Sequence, residues 1–260
     1  MLSYTDTGSG SAILFLHGLG LNRNFWSSTI AHLASNYRCI AIDLPGHGES
    51  FEIATNGSMT SYVASVRKVI EKLNLRDVTL VGHSMGGQIA TILSLQMPSV
   101  ISKLVLVCAA GIETFTGDEA DKLKAITNQV YANPIGDDVL NRTFYHANAE
   151  IRALLMHEHV VHQRGNFRHL SGLITSSVAG MLNEPVFQFL KQITQPTLVI
   201  NGAMDTAIPN RWLHPQLTLM ELQATAKREI KNCETVLVPM AGHYLPVDAP
   251  ELLAGKIAAF

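Results

Sequence analysis

The stretch that most restricts the fold is Gly82-His83-Ser84-Met85-Gly86, a G-x-S-x-G pattern between two runs of different period. The short apolar run Val78-Thr79-Leu80-Val81 precedes it, and an amphipathic run over residues 87–95 follows. A chain that reads this way passes from a buried strand to a helix through one sharp turn. Such a turn forces its central residue into a strained backbone conformation, and neighbours without Cβ relieve the crowding. Ser84 would then expose its hydroxyl at the strand end, above a helix N-terminus that favours negative charge. The plainer reading is a glycine-rich connection with no chemistry. A base, an acid and an oxyanion-binding group must be found elsewhere in the chain to decide between them.

The rest of the chain repeats the strand-then-helix alternation. Apolar runs at residues 12–16, 38–42, 78–81, 103–107, 196–202 and 234–239 read as strands, most of them buried on both faces, and residues 2–7 as a short further strand. Helical spacing appears over 24–34, 58–73 (with Ser58 or Thr60 as cap), 85–97, 212–226 and 249–260. This alternation predicts a doubly wound, mostly parallel sheet with right-handed crossovers. From 112 to 190 no run resembles a buried strand, and the span is too long for a loop inside a core. It is expected to be a helical cap inserted between two strands. The expected division is therefore a first core part at 1–111, a cap at 112–190 and a second core part at 191–260. With 260 residues and 47% apolar content, the chain can bury a core of that size.

Composition excludes several functions. A formal net charge of −2, with 15% charged residues, offers no basic field for nucleic acid or anionic lipid. No segment has the apolar length of a membrane span, and the N-terminus lacks a signal-peptide pattern. Cys39, Cys108 and Cys233 are odd in number and widely spaced, so neither a disulfide framework nor a zinc site is expected, and a cytoplasmic setting fits. The oligomeric state is not readable.

A serine hydroxyl needs a neighbouring base, and among 11 histidines position must choose. Ligand sites of doubly wound sheets lie at the carboxyl ends of the strands. His243 follows the last strand in Ala241-Gly242-His243-Tyr244, and Asp205 follows the strand ending at Gly202. Asp205 would accept the imidazole N–H and stabilise the imidazolium. Glu113, also beyond a strand end, is the second candidate for the acid.

The order Ser84, Asp205, His243, together with His17-Gly18-Leu19-Gly20, Asp43-Leu44-Pro45-Gly46-His47-Gly48-Glu49-Ser50, Gly82-His83-Ser84-Met85-Gly86-Gly87, Gly202-Ala203-Met204-Asp205 and Gly242-His243, resembles the α/β-hydrolase superfamily, in its capped, serine-nucleophile form. The resemblance runs from about Tyr4 to Phe260. It implies seven or eight strands, seven if residues 2–7 supply the only strand before residue 12. It also implies an oxyanion hole formed by the backbone N–H groups of Leu19 and Met85. The implied activity is that of a carboxylesterase on small, apolar acyl esters, with neither cofactor nor metal. C–C bond hydrolysis of vinylogous diketones, thioester hydrolysis and perhydrolysis use the same parts. A ligand receptor with slow or single-turnover hydrolysis is the alternative of a different class.

Other polar clusters have plainer readings. His17 and residues 43–50 are expected to be structural, and His83 to pack between loops. The histidines at 157, 159, 162 and 169 lack supporting metal-ligand spacing. Substrate contacts are expected from cap residues between 112 and 190, where Leu154, Leu155, Val160, Val161, Leu173, Ile174, Val178, Met181 and Leu182 are apolar.

Overall fold

A computed structural model of the chain describes residues 1–132 and 167–260, with side chains from 170 onward in the second part. Among these residues seven strands form one sheet in the order β1-β3-β2-β4-β5-β6-β7. They are β1 Tyr4–Thr7, β2 Ser11–Leu16, β3 Tyr37–Ile42, β4 Val78–His83, β5 Ile101–Val107, β6 Thr197–Gly202 and β7 Cys233–Val238. β1 pairs antiparallel with β3 at one edge, and the other pairings are parallel. The expected mostly parallel sheet is thus present, with seven strands.

Alternation along the strands explains why the apolar runs are continuous. Leu14 and Leu16 point into one core with Met59, Tyr62, Val66 and Ile89, whereas Ile13 and Phe15 point into a second core with Trp26, Leu253 and Ile257. Both faces of β2 to β6 are covered, so the buried stretches of these strands are apolar on successive residues, whereas the edge strands β1 and β7 keep exposed polar positions. Helices α1 Ser27–Leu33, α2 Met59–Lys72 and α3 Met85–Gln96 follow β2, β3 and β4. In α2 the buried positions are Met59, Tyr62, Val63, Val66, Val69 and Ile70, one face of a 3.6-residue period. Ser58, not Thr60, caps it, its hydroxyl accepting the Ser61 N–H at 3.1 Å. α3 is buried on nearly all sides, because it lies beneath the head of the central strand.

Two expected helices have different bounds. The one expected at 24–34 divides into a 3-10 turn, Arg23–Trp26, and α1, because Asn22 caps the turn through its side chain. The one expected at 212–226 begins only at Leu219. Thr218 and Glu221 form a reciprocal capping box there, and Asn210 Oδ1 holds the preceding residues in a turn.

Between β5 and β6 the described residues contain α4 Gly117–Val130 and α5 Phe167–Asn183, which pack on each other, and no strand. α5 is tied to α2 by the hydrogen bond between the Tyr62 and Ser177 hydroxyls at 2.8 Å. Just beyond its end, Glu184 accepts the Met59 and Thr60 N–H groups at the head of α2. Leu154, Leu155, Val160, Val161 and the histidines at 157, 159 and 162 lie outside the described residues, as does the side chain of His169. After β6 come α6 Leu219–Glu229, α7 Leu245–Asp248 and α8 Pro250–Ala259. No described helix is long and apolar enough to cross a membrane.

The junction of β4 and α3 admits no side chain at Gly86. A Cβ there would lie 2.5 Å from the backbone oxygens of both Leu16 and His17. Gly86→Ala is therefore expected to lower stability by about 3 kcal/mol through overpacking against rigid backbone. A shift in urea midpoint measures it, and an unchanged midpoint would show that the β2–α3 approach is looser than described.

Candidate active site

Ser84 follows β4 directly and occupies the N-cap position of α3 with φ 51° and ψ −120°. This is the strained conformation expected of the turn, sparsely populated by non-glycine residues. Its amide donates to the Val107 carbonyl at 3.1 Å and its carbonyl accepts from Ala110 at 3.0 Å, so β5 and its following loop hold it in place.

Asp205 and His243 come from the loops after β6 and β7. His243 Nδ1 lies 2.9 Å from Asp205 Oδ2. The other oxygen, Oδ1, accepts the N–H groups of Ala207 and Ile208 at 2.8 and 3.0 Å. Asp205 is only 1% exposed. Burial pushes its carboxyl up, but the charge and hydrogen bond of His243, with the Ile208 and Ala207 N–H groups, outweigh it and leave the pKa below the ordinary carboxylate value. Asp248 in α7 steadies the histidine loop by accepting the Gly242 N–H at 2.7 Å. Glu113, the other acid candidate, is placed elsewhere: both its oxygens accept the Asn210 N–H, and His214 Nδ1 lies 2.5 Å from Oε1.

The loop after β2 is built around two histidines whose tautomers follow from their partners. His17 Nε2 accepts the Leu44 N–H at 3.0 Å, so its Nδ1 donates to the Gly18 carbonyl at 2.7 Å. His47 Nε2 accepts the Gly20 N–H at 3.2 Å while its Nδ1 donates to the Pro45 carbonyl at 3.0 Å. Leu21 N–H goes to the Gly18 carbonyl at 3.3 Å. Leu19 lies between these fixed points. Met85 begins α3, where helix geometry gives the first N–H groups no intrahelical acceptor. Asp43, with its neighbours, is a structural anchor: it accepts the Arg23 and Glu49 amides and pairs with the Arg23 guanidinium.

Two further residues adjoin the site, His83, expected to pack between loops, and Cys108, which no sequence pattern marks as a neighbour of the site. His83 Nε2 donates to the His243 carbonyl at 2.8 Å and so ties the elbow to the histidine loop. Burial, and then the charge of His243, hold His83 well below the ordinary histidine value, so it stays neutral. Its ring excludes any side chain at Gly18, where a Cβ would lie 2.6 Å from His83 Nδ1. Cys108, just past β5, has φ 43° and places its sulfur within 4.8 Å of the Asp205 and His243 ligand atoms. Burial, and then the charge of Asp205, raise the thiol well above its ordinary value.

Ser84 and His243 open into one cavity of about 490 Å³. Leu123 and Thr127 of α4, Val178, Met181 and Leu182 of α5, and Phe115 wall it. Its polar side chains are largely committed: Gln88 Nε2 donates to the Met181 and Glu184 carbonyls, Thr127 to Leu123, and Gln188 to Pro185. Of the wall expected at 112–190, Val178, Met181 and Leu182 do line the cavity, whereas Leu173 and Ile174 are buried away from it.

A family model described as alpha/beta hydrolase fold matches residues 11–250. An uncharacterised protein of Mycobacterium tuberculosis (strain ATCC 25618 / H37Rv) is 40% identical over 110 residues, 42% of this chain and 32% of that protein. The match thus spans about a third of the length of such mycobacterial relatives. Human monoacylglycerol lipase is 27% identical over 269 residues, covering 97% of this chain and 76% of the lipase. Among solved structures, an esterase from Exiguobacterium antarcticum superposes with a TM-score of 0.78 at 26% identity, covering 99% of this chain and 94% of the esterase.

Proposed function

Because the chain belongs to the alpha/beta hydrolase fold family, we propose that it is a serine hydrolase that cleaves carboxylic esters of small apolar acids through an acyl-enzyme. One observation carries this reading: a strained Ser84 and an Asp205-bonded His243 face the same cavity. His243 takes the Ser84 proton as Oγ attacks the ester carbonyl, and Asp205 stabilises the imidazolium. The N–H groups of Met85 and Leu19 receive the oxyanion. Commitment of the flanking Gly20 and Leu21 N–H groups within the loop supports Leu19 as the second donor. His243 then protonates the departing alcohol. Water, losing a proton to His243, attacks the acyl-enzyme and releases the acid. No step calls for a metal or cofactor.

The insert at 112–190 acts in this reading as a cap that supplies the acyl pocket. Support comes from the α4 and α5 side chains in the cavity wall and from the committed polar groups there, which leave little to recognise a polar acyl chain. The esterase and the lipase among the similar proteins also support an ester bond. The three free cysteines fit a cytoplasmic protein.

Turnover of p-nitrophenyl esters, from acetyl upward, tests the reading. Each added methylene is expected to raise kcat/KM about fourfold, corresponding to ~0.8 kcal/mol of burial, until the cavity is full. A profile that is flat or falls from acetyl onward would remove the apolar acyl pocket. Stoichiometric acylation without turnover would favour a receptor.

A further inference from the structure

The loop that begins at Asp205 is a continuous chain of hydrogen bonds. Asp205 Oδ1 accepts the Ala207 and Ile208 N–H groups, both Glu113 oxygens accept that of Asn210, and Asn210 Oδ1 accepts those of Trp212 and Leu213. The Asn210 carbonyl accepts the His214 N–H at 2.7 Å. The His214 ring closes the chain, with Nδ1 2.5 Å from Glu113 Oε1 and Nε2 3.3 Å from Glu119 Oε1. Phe115 stacks on the ring at 5.2 Å between centroids and 25° between planes. One imidazole therefore touches three residues of the stretch that leads from β5 into the first turn of α4. Glu113 and Phe115 also line the cavity that contains Ser84 and His243. His214 itself lines a second, outer cavity of about 620 Å³, with Glu113 shared between the two.

This arrangement selects the charged ring. A neutral imidazole has one N–H, and its other nitrogen carries a lone pair. Between two carboxylates it could satisfy one and would repel the other, whereas the imidazolium donates to both. Partial burial works against charge on His214, but Glu113 and then Glu119 outweigh it and raise its pKa. Burial pushes the Glu113 carboxyl up in turn, against the pull of His214 and the Asn210 N–H. Both shifts keep a proton in the Glu113–His214 contact. Other charged groups around this loop are Asp205, which acts on Glu113, Arg211, whose guanidinium donates to the Leu217 carbonyl, and Glu221 and Arg228 of α6 across the outer cavity. Glu221 is occupied by Thr218, and Arg228 donates to Glu229.

We propose that His214 is the positioning residue of the substrate cavity: as an imidazolium it clips the Glu113–Phe115 wall and the head of α4 to the loop that carries Asp205. The kinetic consequence rests on the ester-hydrolase reading of Ser84; the ionisation does not. A group whose folded pKa is raised contributes fully below its ordinary value, and the contribution is lost as pH rises through the raised one. Substrate is therefore held less well at alkaline pH. The chemical step needs an unprotonated His243 and runs the opposite way with pH, so KM separates the two effects.

The test measures KM and kcat for p-nitrophenyl butyrate from about pH 6 to about pH 9, in the wild type, His214→Gln and His214→Arg, beside an NMR titration of the His214 ring in the whole chain. Wild-type KM is expected to rise about tenfold across the range, the size of one charge-assisted hydrogen bond. His214→Gln should show the raised KM at every pH and no step. His214→Arg, which keeps a planar charge with several donors, should keep the low KM and lose the step. A wild-type KM that is flat with pH overturns the proposal, as does a Gln variant that loses kcat and keeps KM. Should the Gln variant not fold, the wild-type profile and the Arg variant decide. Should no ester be turned over, the Ser84 reading fails and the titration still decides. A His214 ring titrating above the ordinary histidine value, with Phe115 resonances moving at the same midpoint, supports the clip. One titrating at or below that value overturns it.

Discussion

Ser84→Ala is expected to lower kcat for p-nitrophenyl butyrate by about 10⁴- to 10⁶-fold, to a residue set by the oxyanion donors and binding alone. The size follows from what the hydroxyl supplies. Without Oγ no acyl-enzyme forms, and a water attacking directly must do without the fixed position that Ser84 has at the head of α3. Alanine leaves the amide bond to Val107 and the carbonyl contact to Ala110 in place, because both are made by backbone. It also leaves φ near 51°, so the turn is neither relieved nor distorted. The variant should therefore melt close to the wild type, and a fluorophosphonate probe that labels the wild type should fail to label it. Full esterase activity in Ser84→Ala would place the nucleophile elsewhere and remove the acyl-enzyme reading.

The features legible in the sequence were local ones. Continuous apolar runs identify β2 to β6 because both faces of each strand are covered, and the sharp change of period at Ser84 marks the turn between β4 and α3. Placement of candidates just past strand ends brought Asp205 and His243 forward, and their side chains lie 2.9 Å apart. What the sequence did not disclose depends on contacts distant along the chain. Glu113 satisfied the same strand-end criterion as Asp205, yet its carboxylate is committed to Asn210 and His214, near a hundred residues on. His83 is expected to pack between loops, but its bond to the His243 carbonyl, 160 residues on, is not readable from the sequence. The late start of α6 has a similar origin: Asn210 and Thr218 compete for the backbone through their side chains, and periodicity does not register that.

Asp205→Asn should reduce kcat by about 10⁴-fold with little change in stability. The two oxygens of Asp205 have separate tasks. Oδ1 holds the Ala207 and Ile208 N–H groups and so shapes the loop, while Oδ2 faces His243 Nδ1. An asparagine can keep its oxygen on the loop, which preserves the fold, only by turning its NH₂ toward the imidazole. That donor favours a lone pair on Nδ1 and therefore a hydrogen on Nε2, the tautomer unable to take a proton from serine. The carboxylate charge that would stabilise the imidazolium is lost as well, in a site where Asp205 is buried and held ionised. Since its folded pKa is lowered, the charge contributes fully above the ordinary carboxylate pKa and is lost as pH falls through the folded value. Asp205 thus stays ionised in the wild type between about pH 6 and about pH 9, and the Asn variant should be the slower enzyme throughout that range. Glu113→Gln, which touches neither His243 nor Asp205 by hydrogen bond, should show no loss of this size in kcat. If Asp205→Asn fell by less than about tenfold while Glu113→Gln fell by more than about a thousandfold, the acid would be Glu113, and the 2.9 Å contact at His243 would be structural.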